Sequence, residues 1–327
     1  MTPRVTVSLV TYNGMHWLWG CVMSVLRQKM GRLELQVVDN GSTDGSLDFL
    51  RDAAAHDTRI QVTALESNLG FAAAHNLNIA GPGPEFVMLL NQDVELDRFF
   101  LQSALRAFER SPDIGSVQGR LRRLGPNAER TETIDSTGLV MHRDRRVVAR
   151  RQGEQENERD LVAGPVWGVD GPAPVYRRAA LLDVVEPRTG GGAEVLDEDF
   201  FMYKEDVDLA WRLRKGGWRA WYEPDALAWH ARGTGGRPDR NVMDLIAADR
   251  DIPRWIKATS WRNHRLMQLK NEEPGEYLLD LPWILRREAL SLAYFSTTDP
   301  RRLKAVAHLA AGARRAIRKR QSTRPAI

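Results

Sequence analysis

Residues 86–93 read Phe-Val-Met-Leu-Leu-Asn-Gln-Asp: five apolar side chains in succession, then three polar ones. A short unbroken apolar run with an abrupt polar end is how a strand buried on both faces reads, and such strands belong to parallel sheets covered by helices. Shorter apolar runs, broken by single polar residues, recur upstream and also lead into polar sets. Residues 5–10 run into Thr11, Tyr12 and Asn13, residues 35–38 into Asp39, Asn40 and Ser42, and residues 60–64 are soon followed by Ser67 and Asn68. Amphipathic stretches at 16–28, 46–56 and 71–80 separate the runs and predict helices. The alternation predicts an α/β fold, a mainly parallel Rossmann-like sheet flanked by helices. All four polar sets then fall at carboxyl ends of strands, the edge where open α/β sheets bind ligands, so a nucleotide-sized site is expected there.

Past residue 114 the pattern weakens. Short strands are expected at 116–121 and 139–142, with a charged stretch at 152–160 and no clear order among them. Gly190, Gly191 and Gly192 mark a loop, and Asp197, Glu198 and Asp199 follow it. A helix over 205–215 ends at Gly216 and Gly217, as helices commonly do. Two short extended segments, 220–222 and 226–229, flank Pro224. Beyond about residue 233 the reading is helical, which divides the chain into an α/β domain over 1–235 and a helical region over 236–327. Leu303, Val306, Ala310, Ala313 and Ile317 repeat at three- and four-residue spacing opposite arginines and lysines, the pattern of a basic amphipathic helix.

The 327 residues are 43% hydrophobic and 28% charged, which excludes both a disordered chain and a membrane bundle. The net charge of +4 conceals an asymmetry: residues 301–327 hold nine lysines and arginines and no acid, so the remainder is net negative. A basic tail points to an anionic surface, here a membrane face, or to a helix that forms oligomers. No basic stripe interleaved with aromatics suggests nucleic acid. Cys21 stands alone, so no intrachain disulfide forms and a reducing cytoplasm is expected. The start of the chain lacks a signal-peptide pattern, and no apolar run nears the ~20 residues of a membrane span, leaving peripheral attachment to the inner face of the cell membrane.

Several residues carry chemistry in this reading. Asp93 directly follows a buried strand, where an ionised carboxylate needs a partner: a divalent cation, or the next helix if it caps it, although Asp97 suits that cap better. Glu205, Asp206 and Asp208 open a helix, where acids are favourable to the dipole without any function, and Asp208 is spaced to pair with Arg212. Neighbours on a helix diverge by ~100°, so only one of Glu205 and Asp206 should face a site. His230 ends an apolar segment as either a structural histidine or a metal ligand, and with Asp93 it suits Mn²⁺ better than Ca²⁺. Asp39 can accept from the imide N3–H of uracil or thymine. Asn68, Gly70 and Asn76 suit ribose or phosphate contacts, or plain turns and caps. Trp167, Trp255 and Trp261 are candidate sugar platforms or ordinary packing.

Five ordered segments resemble family-two glycosyltransferases of the GT-A fold: Val-Ser-Leu-Val-Thr-Tyr-Asn at 7–13, Val-Val-Asp-Asn-Gly-Ser-Thr-Asp-Gly-Ser at 37–46, Asn-Leu-Gly-Phe-Ala at 68–72, Leu-Asn-Gln-Asp at 90–93, and Phe-Phe-Met-Tyr-Lys-Glu-Asp-Val-Asp-Leu-Ala-Trp-Arg-Leu-Arg at 200–214, closing at His230. The likeness is greatest to bacterial rhamnosyltransferases that build surface polysaccharides on lipid carriers, and it continues more weakly through Ser260, Arg262, Asn263 and Lys270. It implies an inverting, metal-dependent transfer of L-rhamnose from dTDP-rhamnose to a saccharide or polyprenyl-linked acceptor, or of another sugar from a UDP-hexose or UDP-galactofuranose. Thr11, Tyr12, Asn13, Asp39, Asn68, Gly70, Asn76, Asn91 and Gln92 would hold the nucleotide, Asp93 and His230 the Mn²⁺ or Mg²⁺. Asp206 would be the base, with Glu205 and Trp167 at the acceptor. Asn91 stands where the family's metal motif has its first aspartate, which leaves one carboxylate fewer. A nucleotidyltransferase would carry a Gly-rich phosphate loop after the first strand, which residues 11–17 are not. A glycan-binding protein on the same fold would need no base.

Overall fold

A computed structural model describes residues 3–232, 253–298 and 304–322. Of the expected basic helix, Arg301, Arg302, Leu303 and Arg324 lie outside the described residues. Strands β1 (Val5–Thr11), β2 (Leu33–Asp39), β3 (Ile60–Ala64) and β4 (Phe86–Asn91) are parallel in the order β3-β2-β1-β4. Their crossovers are α1 (Met15–Leu26), α2 (Ser46–His56) and α3 (Phe71–Ile79). Alternation along β1 explains the layering. Val5, Val7 and Leu9 meet Leu18, Val22 and Val25 of α1 and Leu50 of α2 in one core, while Val87 and Leu89 of β4 turn to Ala72 and Ile79 of α3 in another. Register lines up the carboxyl edge, with Thr11 opposite Asp39 and Val10 opposite Asn91.

The remaining elements are β5 (Val94–Leu96), α4 (Phe100–Phe108), β6 (Ile114–Leu124), β7 (Arg130–Ser136), the hairpin of β8 (Leu139–Met141) and β9 (Val147–Ala149), β10 (Gly164–Val166), β11 (Val175–Arg177), α5 (Arg178–Asp183), the hairpin of β12 (Glu186–Pro187) and β13 (Ala193–Glu194), α6 (Glu205–Lys215), β14 (Arg219–His230), α7 (Arg254–Asn271), α8 (Pro274–Thr298) and α9 (Lys304–Ser322). The sheet continues past β4 as β11, β6, β14 and β10, with β5 on β14 and β7 on β6, ten strands together. The parallel character holds for β1–β4. Beyond them β11 runs antiparallel between β4 and β6, whereas β6 and β14 are again parallel. The two segments expected around Pro224 are one strand, β14: its pairing with β6 slips between Glu223 and Leu227, and that bulge admits a proline with no N–H to give. Asp97 does not cap α4 as expected: its Oδ1 accepts from Phe99 N (2.9 Å) in the turn ahead of the helix, whose N-cap is Phe99 itself, without a side-chain cap.

The C-terminal helices are fastened by charge. Lys270 Nζ of α7 lies among Glu186 (2.6 Å), Asp208 (2.7 Å) and Asp197 (2.8 Å), all buried, and Arg212 pairs with Asp208 at 2.9 Å as their spacing predicts. Lys319 of α9 contacts Glu194 (2.6 Å), Asp197 and Asp199 (3.1 Å), and Arg315 contacts Asp199 (2.9 Å). Burial raises the Asp197 carboxyl, but Lys270 and Lys319 more than reverse this and hold it below its ordinary range.

These contacts correct the reading of the tail. Its inward face is Gly312, Ala316 and Lys319, with Gly312 against Leu266 of α7, whereas Ala310 and Ile317 of the expected apolar stripe are exposed beside Arg314 and Arg318. An acidic surface captures the helix through a lysine, and the helix is turned accordingly. Removing the central cation should be costly. Lys270→Met leaves three buried carboxylates facing one another, and urea denaturation should show a loss of about 3–5 kcal/mol.

Candidate active site

Strand pairing builds the first part of the site. Val94 of β5 lies opposite His230 at the end of β14, and Ala231 N donates to Asp93 O (2.9 Å), so the turn after β4 meets the end of β14. Asp93 Oδ1 then lies 3.4 Å from His230 Nε2. The other imidazole nitrogen, Nδ1, contacts Asp135 Oδ2 at 2.8 Å. Asp135, on β7 and fully buried, also receives Arg232 Nε (2.8 Å) and lies 3.3 Å from Arg123. Burial disfavours charge on His230, yet Asp93 and Asp135 together raise its pKa to about 9. Burial likewise raises the Asp93 carboxyl, and the charge of His230 and its hydrogen bond overturn this and leave it below its ordinary value.

The second part is the start of α6. Asp206 is partly buried and accepts from Gly171 N (3.2 Å) and Val207 N (2.8 Å), while Glu205 turns inward and its Oε2 is buried without a partner. One acid of the pair faces the cleft, as helical geometry requires. Burial and then the charge of Asp170 raise the Asp206 pKa, and burial and then Asp206 push Glu205 up to about 8. Arg232 Nη2 reaches Asp170 Oδ2 (3.3 Å), and Pro172 O accepts from Asn91 N (2.9 Å). Asp93, His230, Asp135, Arg232, Asp170 and Asp206 therefore form one connected polar line at the carboxyl edge.

A strained segment delivers α6 to that line. Phe201, Tyr203 and Lys204 have φ of 62°, 68° and 76°, a left-handed region that side chains with a Cβ seldom occupy. Asn263 of α7, fully buried, spends its amide on this segment, donating to Phe200 O (2.8 Å), Met202 O (2.9 Å) and Tyr203 O (2.8 Å). The C-terminal helices thus hold the segment from which Glu205 and Asp206 project.

The third part is the edge of β1 and β2. Gln92 Oε1 receives Thr11 Oγ1 (2.6 Å) and Tyr12 N (2.9 Å), and Asn13 receives Thr43 N (2.8 Å) and donates to Ser42 Oγ (3.0 Å). Asp39 Oδ2 accepts from Ser42 N (3.0 Å), while Asp39 Oδ1 and Asn91 Oδ1 are buried acceptors without a partner. Native interiors rarely leave such atoms unpaired, so two acceptors on one ligand-binding edge call for a donor from outside the chain.

Four expected ligands have internal work instead. Asn76 is buried and accepts from Leu196 N (2.9 Å) while donating to Leu196 O (2.8 Å), which fastens the 196 segment to α3. Asn68 Oδ1 accepts from Asn40 Nδ2 (3.0 Å) and Gly70 N (2.8 Å) and so shapes its own loop. Gly70, at φ 90°, gives close approach to Phe201 rather than to phosphate: a Cβ there would lie 2.6 Å from Phe201 O. Trp167 packs edge-on against Trp211 in an apolar cluster (6.2 Å between centroids), so its ring is committed to packing. Trp255 and Trp261 lie on α7, Trp261 under the Arg265 guanidinium.

Glu186, Asp197 and Asp208 also bring three carboxylates within metal-ligating distance of one another. The Lys270 ammonium already supplies their positive charge, so Asp93 and His230 remain the better cation site. Asp135, Asp170 and Arg232 escape sequence reading because they stand alone in stretches without periodicity. The only signals are an acid beside the single apolar residue, Ile134, of an otherwise polar segment and an arginine two residues past His230.

Comparison with known proteins agrees with this architecture. The family model described as glycosyl transferase family 2 matches residues 6–184. An N-acetylglucosaminyl-diphospho-decaprenol L-rhamnosyltransferase of Mycobacterium tuberculosis is 28% identical over 291 residues, covering 80% of this chain and 89% of the relative. A poly-beta-1,6-N-acetyl-D-glucosamine synthase of Staphylococcus aureus is 26% identical over 69% of this chain, which spans only 49% of that synthase. Among solved structures, a Pyrobaculum calidifontis mannosyltransferase in complex with GDP-Man and Mn²⁺ superposes with a TM-score of 0.54 at 20% identity, covering 99% of this chain and 84% of that one. GalNAc-T7 with UDP, GalNAc and Mn²⁺ gives 0.56 at 11% identity over 89% and 58%. With a GT-A sheet and a family match over more than half its length, the chain belongs to glycosyl transferase family 2.

Proposed function

We propose that the protein is an inverting, metal-dependent transferase that moves a sugar, read as L-rhamnose from dTDP-rhamnose, to a saccharide or polyprenyl-linked acceptor in cell-surface polysaccharide synthesis. The observation that carries this is the polar line joining the Asp93–His230 pair to Asp206 along the edge where Asp39 and Asn91 present unpaired acceptors. The rhamnosyl and lipid-linked parts rest on the mycobacterial relative, whose name states both. A lipid-linked acceptor supports, within the same proposal, a reaction at the inner face of the cell membrane.

Asp93 and His230 fit a divalent cation, Mn²⁺ or Mg²⁺. A carboxylate oxygen and an imidazole nitrogen face each other at 3.4 Å, and Asp135 engages Nδ1 so that Nε2 is the nitrogen presented, the usual arrangement behind a metal-bound histidine. Such an ion supplies Lewis-acid neutralisation of the departing diphosphate. The remaining work belongs to side chains. Asp39 Oδ1 accepts from the imide N–H of the base, and the Thr11–Asn13 turn, braced by Gln92, borders it. Asp206 removes the proton of the acceptor hydroxyl as its oxygen attacks the anomeric carbon opposite the diphosphate. Burial and Asp170 bring its pKa upward, nearer the operating pH that suits a general base. Glu205, turned inward with a pKa of about 8, holds its proton near neutrality and so puts no second negative charge beside Asp206.

Thermal shift against dTDP-rhamnose, UDP-glucose and UDP-galactofuranose, with Mn²⁺ and with chelator, identifies the donor, and dTDP-rhamnose with Mn²⁺ should shift the melting temperature most. Asp93→Ala and His230→Ala should each abolish the Mn²⁺-dependent part of that shift, and an unchanged metal titration in both would remove the cation site. Asp206→Asn should keep the donor shift and lose about 10²–10⁴-fold in transfer rate, whereas substantial turnover would end its assignment as base. Removing the negative neighbour in Asp170→Asn lowers the Asp206 pKa, so the acid limb of the pH–rate profile should move to lower pH.

A further inference from the structure

Helix α8 (Pro274–Thr298) carries charge on one side and apolar groups on the other. Ile284 is buried on its inner side, where Asp280 pairs with Arg145 (2.6 Å), Glu288 with Arg265, and Arg287 reaches His264 (2.7 Å). Its outer side is different. Leu278, Leu279, Leu285 and Leu290 are each more than half exposed, and Trp283 is 40% exposed. At i, i+4 spacing Leu279 and Trp283 form one row and Leu278, Pro282, Arg286 and Leu290, all exposed, an adjoining one, with Leu285 beside the second at seven residues from Leu278. A contiguous apolar face of this kind marks a contact surface.

We infer that this face of α8 seats the protein on an anionic lipid bilayer, a reading that deepens the lipid-linked acceptor proposed above. Charge selects the occupant. The only ionic group within the two rows is a cation, Arg286, while the Arg143 guanidinium that stacks over Trp283 at 3.5 Å is already paired with Asp280 (2.7 Å). Glu276 lies only at the edge of the first turn, and Glu288 is turned inward to Arg265. A second copy paired across this face would desolvate Arg286 without an acid in either row to meet it. A bilayer serves both kinds of group: leucines and the indole enter the acyl boundary while the guanidinium reaches a lipid phosphate. The helix is 25 residues, about 37 Å long. No described helix is apolar enough to cross a membrane, so α8 lies along the surface. The basic helix α9 has its inward lysine committed to the acids of the α/β domain, which leaves α8 as the larger apolar contact.

Sedimentation of the full chain with vesicles tests this without donor or acceptor, so it stands apart from the outcome of any transfer assay. Wild type should bind vesicles of phosphatidylcholine with one quarter phosphatidylglycerol and bind pure phosphatidylcholine more weakly. Leu279→Glu with Leu290→Glu, both at exposed positions, should keep the wild-type melting temperature and lose about tenfold or more in vesicle affinity. Arg314→Gln with Arg318→Gln on α9 should change it by less than about twofold. Three results would overturn the inference: no binding by wild type, binding unaltered by the leucine substitutions, or a wild-type dimer in analytical ultracentrifugation that those substitutions dissociate while vesicles stay unbound.

Discussion

One buried ammonium organises the half of the molecule that sequence patterning leaves vague. Lys270 Nζ touches carboxylates from β12, from the segment before α6 and from α6 itself. Without it those acids would repel one another in a poorly solvated space, and no arrangement of the intervening chain would bring them together. The charges are matched locally, since Arg212 and Lys319 complete the set around the same acids. The cost of desolvation is offset by geometry: each carboxylate has a donor within hydrogen-bond range. Because that cluster fixes the start of α6, an interaction remote from the cleft governs where Asp206 points.

The two halves of the site are held by different physics. Around β1, β2 and β4, parallel register alone aligns Thr11, Asp39 and Asn91, and apolar cores on both faces keep that register. Around α6, position comes from side chains spending their donors on backbone carbonyls, as Asn263 does for Phe200, Met202 and Tyr203. A sheet edge is rigid by construction. A segment with three left-handed residues persists only because its surroundings over-determine it.

This difference also sets how much the sequence could reveal. β4 is legible because burial on both faces writes an unbroken apolar run, whereas β1, β2 and β3 carry interspersed polar residues and are legible from their apolar residues together with the polar site residues that follow them. Helix 205–215 was equally clear from its acidic start and glycine end. What could not be read has no period. β7 gives Asp135 to the site from a strand buried mostly by polar neighbours, and β14 crosses Pro224 through a bulge that looked like a break. The face of α9 was misjudged because counting apolar residues assumes that the buried side is apolar, whereas here an acidic surface draws in Lys319. Asn68, Gly70 and Asn76 fell on the right edge and do the work of turns and braces, an ambiguity inherent in asparagine and glycine.

The pairing of Lys319 with Asp197 spans 122 residues, and this has a bearing on biosynthesis. At about 5–20 residues per second, roughly 6–24 s separate translation of the acid from that of its cation. The parallel strands can pair early from local crossovers, but the acids around α6 emerge with Arg212 alone of their three cations. The nascent chain should therefore pass through a stage with a formed β1–β4 sheet and an open flank around α6. The lysines made last complete acids made earlier.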